Sequence, residues 1–141
     1  MNSFYIVLNS DDAAAVGSNS DYTITVANTI NLNDNYSYEC AVINGAYQTC
    51  DPYTNKQVYF YCDLVEYSYN GGALEQIVNK TNYHQPTVLE KPIVHFENQL
   101  KTWFKMSKKH FNTIRIQVKD ENGTAIPAGY SSVMLEIRQI Q

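Results

Sequence analysis

Four lysines bracket two aromatic residues in Lys101-Thr102-Trp103-Phe104-Lys105-Met106-Ser107-Lys108-Lys109-His110. That composition could follow a phosphate backbone while stacking bases, with Lys101, Trp103, Lys105, Lys108 and Lys109 as the contacts. The same stretch also reads as an edge strand and its loop, where lysines keep the edge soluble and Trp103 or Phe104 enters the core. The second reading is preferred. The chain carries a net charge of −4, whereas nucleic-acid binding leans on many uncompensated cations.

Other residue types capable of chemistry are present but scattered. His84, His95 and His110 show no HxH or HxxxH spacing, and zinc sites usually announce their ligands by close spacing. The cysteines are three, Cys40, Cys50 and Cys62, an odd number without a CxxC pair, which argues against a disulfide framework. Cys40 and Cys62 fall inside apolar strand patterns and are expected to pack as small hydrophobes. Asn31-Leu32-Asn33-Asp34-Asn35 lacks the spaced carboxylates of a calcium loop. Gly71-Gly72 is a turn with no helix following it, not a phosphate cradle. No local signature of a hydrolase nucleophile is visible. The expectation is a protein that is not an enzyme, with no metal and no cofactor.

Tyrosine is the strongest compositional bias, with 12 in 141 residues. Tyr59, Tyr61, Tyr67 and Tyr69 cover a sheet face, a protein interface, or both, since tyrosine is enriched at interfaces. Together with Arg115 and Arg138, which alternation turns outward, they are the candidate interface residues.

These side chains sit on a β scaffold. Thr113-Ile114-Arg115-Ile116-Gln117-Val118-Lys119 alternates polar and apolar, as does Val133-Met134-Leu135-Glu136-Ile137-Arg138, and the period of two gives each stretch an inner and an outer face. Asn122-Gly123 between them tolerates the positive φ of a tight reversal, so the two are expected to form an antiparallel unit. Further strands are predicted at Phe4–Leu8, at Tyr22–Val26 and over Tyr36–Tyr47, where Gly45 signals a bulge or a close backbone approach. Gln57–Tyr69 is apolar or aromatic on both faces and reads as a central strand. Ile93–Phe96 and Trp103–Met106 read as short strands, and Leu74–Val78 as a strand or one helical turn. Asn9–Asp21 and Thr81–Pro92 are expected to be loops, Asp51-Pro52 a break, Asn55-Lys56 a hairpin tip and Tyr69–Gly72 a turn. Such spacing predicts an all-β chain: residues 1–141 as a single antiparallel β-sandwich domain, jelly-roll-like, of about eight strands.

With 44% hydrophobic and 17% charged residues the chain is globular rather than disordered. Met1–Leu8 has no basic segment followed by an apolar one, so no signal peptide is expected and synthesis is expected to be intracellular. No apolar run approaches a membrane-spanning length of about 20 residues.

Three blocks resemble small β-rich proteins of Maverick/polinton-type elements, polinton-like viruses and related eukaryotic DNA viruses. The first is Phe4-Tyr5-Ile6-Val7-Leu8-Asn9-Ser10 with Tyr22-Thr23-Ile24-Thr25-Val26, Ile30-Asn31-Leu32 and Tyr38-Glu39-Cys40-Ala41-Val42. The second is Val58-Tyr59-Phe60-Tyr61-Cys62-Asp63-Leu64-Val65 with Gly71-Gly72. The third comprises Asn112–Gly123 and Val133–Arg138. The resemblance implies a jelly-roll capsid component, penton-like or minor, located in the virion. Its partners would be itself, as a homo-oligomer, and other capsid proteins, with neither nucleic acid nor membrane. A trimeric attachment or carbohydrate-binding β-sandwich is the alternative, and a single-strand nucleic-acid-binding domain a third.

Overall fold

β-branched and aromatic residues alternating with polar ones favour extended chain. In the computed structural model, which describes residues 3–12, 14–48, 56–70, 72–82, 93–126 and 129–140, they build twelve strands and, among the described residues, no helix. In chain order these are β1 (Ser3–Asn9), β2 (Ala15–Ser18), β3 (Asp21–Asn31), β4 (Ser37–Gln48), β5 (Gln57–Cys62) and β6 (Ser68–Asn70), followed by β7 (Ala73–Glu75), β8 (Ile77–Asn82), β9 (Ile93–Glu97), β10 (Phe104–Lys105), β11 (His110–Lys119) and β12 (Ser131–Ile140).

One sheet runs β1–β12–β4–β10, with β9 pairing β4 further along; the other runs β2–β3–β11–β5–β8, and β6 and β7 form a separate hairpin. Every ladder is antiparallel, and the pairing is nested: β1 with β12, β3 with β11, β4 with β9 and β10, and β5 with β8. Four such pairs shared between two packed sheets make a jelly roll. Because β9 and β10 share one partner and β2 only extends the β3 edge, the frame has about eight strands, as the turn spacing predicts. The β6–β7 hairpin is an addition to that frame.

The expected pairing of the last two strands does not form. β11 lies between β3 and β5 in one sheet, and β12 lies between β1 and β4 in the other. The predicted reversal does occur: the Asp120 carboxylate accepts from the backbone N–H of Asn122 at 2.8 Å and of Thr124 at 3.0 Å, and Gly123 takes a φ of 76°. The returning chain, however, pairs only as far as Ile126, whose N–H donates to the Val118 carbonyl at 3.1 Å, before crossing to the other sheet. Alternation specifies faces, not partners. The inner rows Ile114, Ile116, Val118 and Val133, Leu135, Ile137 enter the same core from opposite sheets.

Three further expectations change. Asn9–Asp21 is not all loop, because β2 pairs β3 through a turn in which the Asp21 N–H donates to Ser18 Oγ at 3.1 Å. The Gln57–Tyr69 strand ends at Cys62, although β5 is interior as expected, flanked by β11 and β8. The Asp63 carboxylate turns the chain out of the ladder there, accepting from the Arg115 N–H at 3.0 Å and from Lys108 Nζ at 3.1 Å. Thr81 belongs to β8 rather than to a loop. The expected break at Asp51-Pro52, the tip residue Asn55, Cys50, His84 and residues 83–92 lie outside the described residues.

Of the two alternatives expected at Gly45, the glycine itself shows the close approach, while the bulge lies earlier in the same strand. The β12 ladder slips between Met134 and Leu135, which face Asn44 and Val42 and leave Ile43 as the bulged residue. A Cβ on Gly45 would stand 2.6 Å from the Ser132 carbonyl oxygen and 2.6 Å from the Phe96 ring. Between the sheets Leu8, Tyr22, Phe60, Leu64, Ile114, Ile116, Leu135 and Ile137 are fully buried, each large apolar side chain contributing about 1.5–3 kcal/mol.

Candidate interface surfaces

Each sheet has a cover on its outer face, and the covers place most of the candidate residues. On the sheet containing β11 and β5, the outward row is Arg115, Gln117 and Lys119 beside Tyr61 and Tyr59. The β6–β7 hairpin folds over this row. The Cys62 N–H donates to the Gln76 carbonyl at 3.0 Å, Gln76 Nε2 donates to the Val65 carbonyl at 2.8 Å, and the Tyr61 hydroxyl donates to Glu75 Oε2 at 3.0 Å. Tyr61 is consequently buried, with Lys119 Nζ 4.8 Å from its ring centroid, a cation–π contact.

An open groove of about 320 Å³ remains between hairpin and sheet, lined by Tyr61, Tyr67, Leu74 and Arg115 among others. Tyr67 is 62% exposed and Tyr69 78% exposed, and Tyr69 stands opposite Leu74 across the hairpin. Three of the six candidate interface residues therefore line the groove, Tyr61, Tyr67 and Arg115, and Tyr69 stands on the hairpin itself. Tyr59, half-buried, lies further along β5 opposite Lys119, and Arg138 is on the other sheet. Sequence reading missed Leu74; its signal was the alternation flanking the Tyr69–Gly72 turn.

Charges around the groove are locally compensated. Arg115 makes a bidentate pair with Asp21, Nε to Oδ1 at 2.9 Å and Nη2 to Oδ2 at 2.8 Å. The guanidinium hydrogen bonds hold the Asp21 carboxyl below its ordinary value, and the Asp21 carboxylate raises Arg115 in turn.

On the other sheet the cover is the segment 98–103. It starts with Asn98, whose N–H donates to the Ile43 carbonyl and whose Nδ2 donates to the Val42 carbonyl, each at 2.9 Å. The strap buries Ala41 and Glu136, and Glu136 receives a 2.6 Å bond from Lys101 Nζ. Alternation turns Glu136 outward, so it is the strap, not bulk water, that this carboxylate meets. Arg138 pairs with Glu39 across the β12–β4 ladder and lies 3.6 Å from the Trp103 ring centroid. Trp103 is thus on the outside of the sandwich, while Phe104 packs against the core.

The lysines of the basic stretch are dispersed among partners rather than aligned. Lys101 pairs with Glu136, Lys105 with Glu66 at 4.0 Å and Lys108 with Asp63, and Lys109 Nζ donates to the Asp34 carbonyl at 3.0 Å. His95 on β9 and His110 on β11 belong to different sheets, and His110 bonds Asp34 at 2.8 Å and Asn31 at 3.0 Å. Cys40 and Cys62 are buried free thiols; burial pushes Cys40 up to about 12 and Cys62 well above its ordinary value.

A second exposed apolar area lies on β1. The Ser10 N–H bonds the Ser131 carbonyl, so by antiparallel alternation Leu8, Ile6 and Phe4 turn their backbone groups to β12 while Tyr5 and Val7 turn theirs outward. The side chains of Tyr5 and Val7 are exposed as well, with Val7 opposite Met134.

No protein-family model matches the chain, and no curated protein matches it in sequence. Among solved structures, the mavirus penton protein is similar with a TM-score of 0.60 at 9% sequence identity, the likeness covering 97% of this chain and 100% of that one. Over nearly its whole length, therefore, this chain has the fold of a viral penton protein, an all-β jelly roll.

Proposed function

We propose that this chain is a structural virion protein, a penton-like or minor capsid subunit that acts without catalysis, by self-association and by contacts with other capsid proteins. Residues 1–141 form one jelly-roll unit in this reading. The observation that carries it is the end-to-end likeness to the mavirus penton protein, which extends to both chains almost completely. Jelly rolls tile viral capsids because the two rigid sheets present flat sides and edges to neighbours.

The β1 edge is the contact we assign to a neighbouring subunit. Tyr5 and Val7 combine exposed side chains with outward backbone groups, and Arg138 lies in the same sheet. An exposed apolar edge is costly in a free monomer unless another chain covers it. The intramolecular partners of Lys101, Lys105 and Lys108 weigh against a nucleic-acid role.

Sizing chromatography with light scattering tests the reading, on the chain alone and co-expressed with the capsid protein encoded nearest to it. Defined oligomers or a mixed complex are expected, and the pair Tyr5→Ser and Val7→Ser should dissociate them. A protein that stays monomeric at high concentration and forms no complex with that partner would refute the assignment.

A further inference from the structure

The groove beneath the β6–β7 hairpin has a built character that the jelly-roll frame does not need. We propose that it is a binding site for a neutral saccharide. This is independent of the assembly role, because the groove lies on the opposite sheet from the β1 edge.

Size and rigidity come first. At about 320 Å³ the groove falls at the lower end of small-ligand sites, which span about 300–1,000 Å³. Its movable wall is pinned by the Gln76 and Tyr61–Glu75 hydrogen bonds, so little ordering remains to oppose binding. Chemistry then narrows the ligand. Tyr67 and Leu74 offer an apolar wall with an exposed aromatic ring, suited to the C–H face of a pyranose. The carboxylates of Asp63 and Glu75 already accept internal hydrogen bonds but have acceptor capacity beyond them, and with the Gln117 carboxamide they match hydroxyls that both donate and accept. A wholly apolar ligand would strip water from these groups without replacing its hydrogen bonds. Charge favours a neutral ligand, because the carboxylates of Asp63 and Glu75 offset the cations of Arg115 and Lys119 along the lining. Arg115 is committed to Asp21 and Lys119 stands over the Tyr61 ring, so phosphate, sulfate or sialic acid would meet no free guanidinium fork and would have to displace one of these contacts.

Saturation-transfer NMR on the full chain tests this, using methyl glycosides of glucose, galactose, mannose and N-acetylglucosamine, with sialyllactose as the charged control. Transfer to the ring protons of at least one neutral glycoside is expected at millimolar concentration. Tyr67→Ala should weaken it by about tenfold, equivalent to 1.4 kcal/mol. Tyr67→Phe, which keeps the ring, should retain it, as should Tyr5→Ser on the other sheet. No transfer to any neutral glycoside, transfer to sialyllactose alone, or full binding by both Tyr67→Ala and Leu74→Ala would overturn the proposal. Light scattering on the same samples reports assembly separately, so loss of one property does not mimic loss of the other.

Discussion

Arg138 holds its guanidinium carbon 3.6 Å from the Trp103 ring centroid while the same guanidinium pairs with Glu39 on the adjacent strand. The strap is thereby tied to two strands at once. Arg138→Lys keeps the charge but loses the planar fork and the stacked surface, and we expect it to cost about 1 kcal/mol. Because Trp103 is the sole tryptophan, its fluorescence should shift to the red as the strap loosens. Unchanged emission and melting temperature would show that the stack does not hold the strap.

Glu136 is 7% exposed, and its carboxylate is bonded to Lys101. Lys101→Met leaves that carboxylate covered and uncompensated, for an expected loss of about 1–3 kcal/mol in urea denaturation. The double change Lys101→Met with Glu136→Leu should recover most of it. A double variant as unstable as the single one would place the loss in packing rather than charge.

Two glycines should respond differently to alanine. At Gly45 the new methyl meets a backbone oxygen and an aromatic ring at 2.6 Å, so overpacking of about 1–3 kcal/mol is expected. At Gly123 nothing lies within 4 Å, and only the φ of 76° is unfavourable, for about 1–2 kcal/mol. Thermal melts of the two variants check the order, with Gly45→Ala the less stable.

The thiols of Cys40 and Cys62 should resist alkylation in the native protein at pH 8. Both are buried, and Cys40 is pushed up to about 12, so thiolate is scarce as well as inaccessible. Iodoacetamide labelling followed by peptide mapping should find these two positions unmodified until denaturant is added.

Asp21 carries the pH dependence most open to measurement. Its folded value is lowered by the Arg115 hydrogen bonds from an ordinary 3.8. The pair therefore contributes fully above that value, and its contribution is lost as pH falls through the lower folded one. Being half exposed, it should be worth less than about 1 kcal/mol. A carboxyl NMR titration should place the Asp21 midpoint below 3.8, and Arg115→Gln should move it back up.

Much of this architecture was legible in residue order, and the exceptions share a cause. Thr113–Lys119 alternates cleanly and is a strand, yet nothing in alternation says that its neighbours are β3 and β5 rather than Val133–Arg138. Pairing is decided by contacts distant in sequence, and two inner rows facing across a sandwich leave the same pattern as two rows side by side. Alternation puts Glu136 on the outer face, but the six-residue pattern Val133–Arg138 cannot contain the strap that covers it. Among the site residues, Tyr67 and Tyr69 stood out by type. Leu74 did not, because a lone leucine acquires meaning only once Tyr69 is opposite it.

The place of β12 between β1 and β4 bears on biosynthesis. Among the described residues β1 pairs with β12 alone, so although it is translated early it has no ladder to join until residues 131–140 emerge, whereas β4 can already pair with β9 and β10. Closure of this sheet is expected to wait for β12, with the pairing edge of β1 exposed to chaperones until residues 131–140 are made.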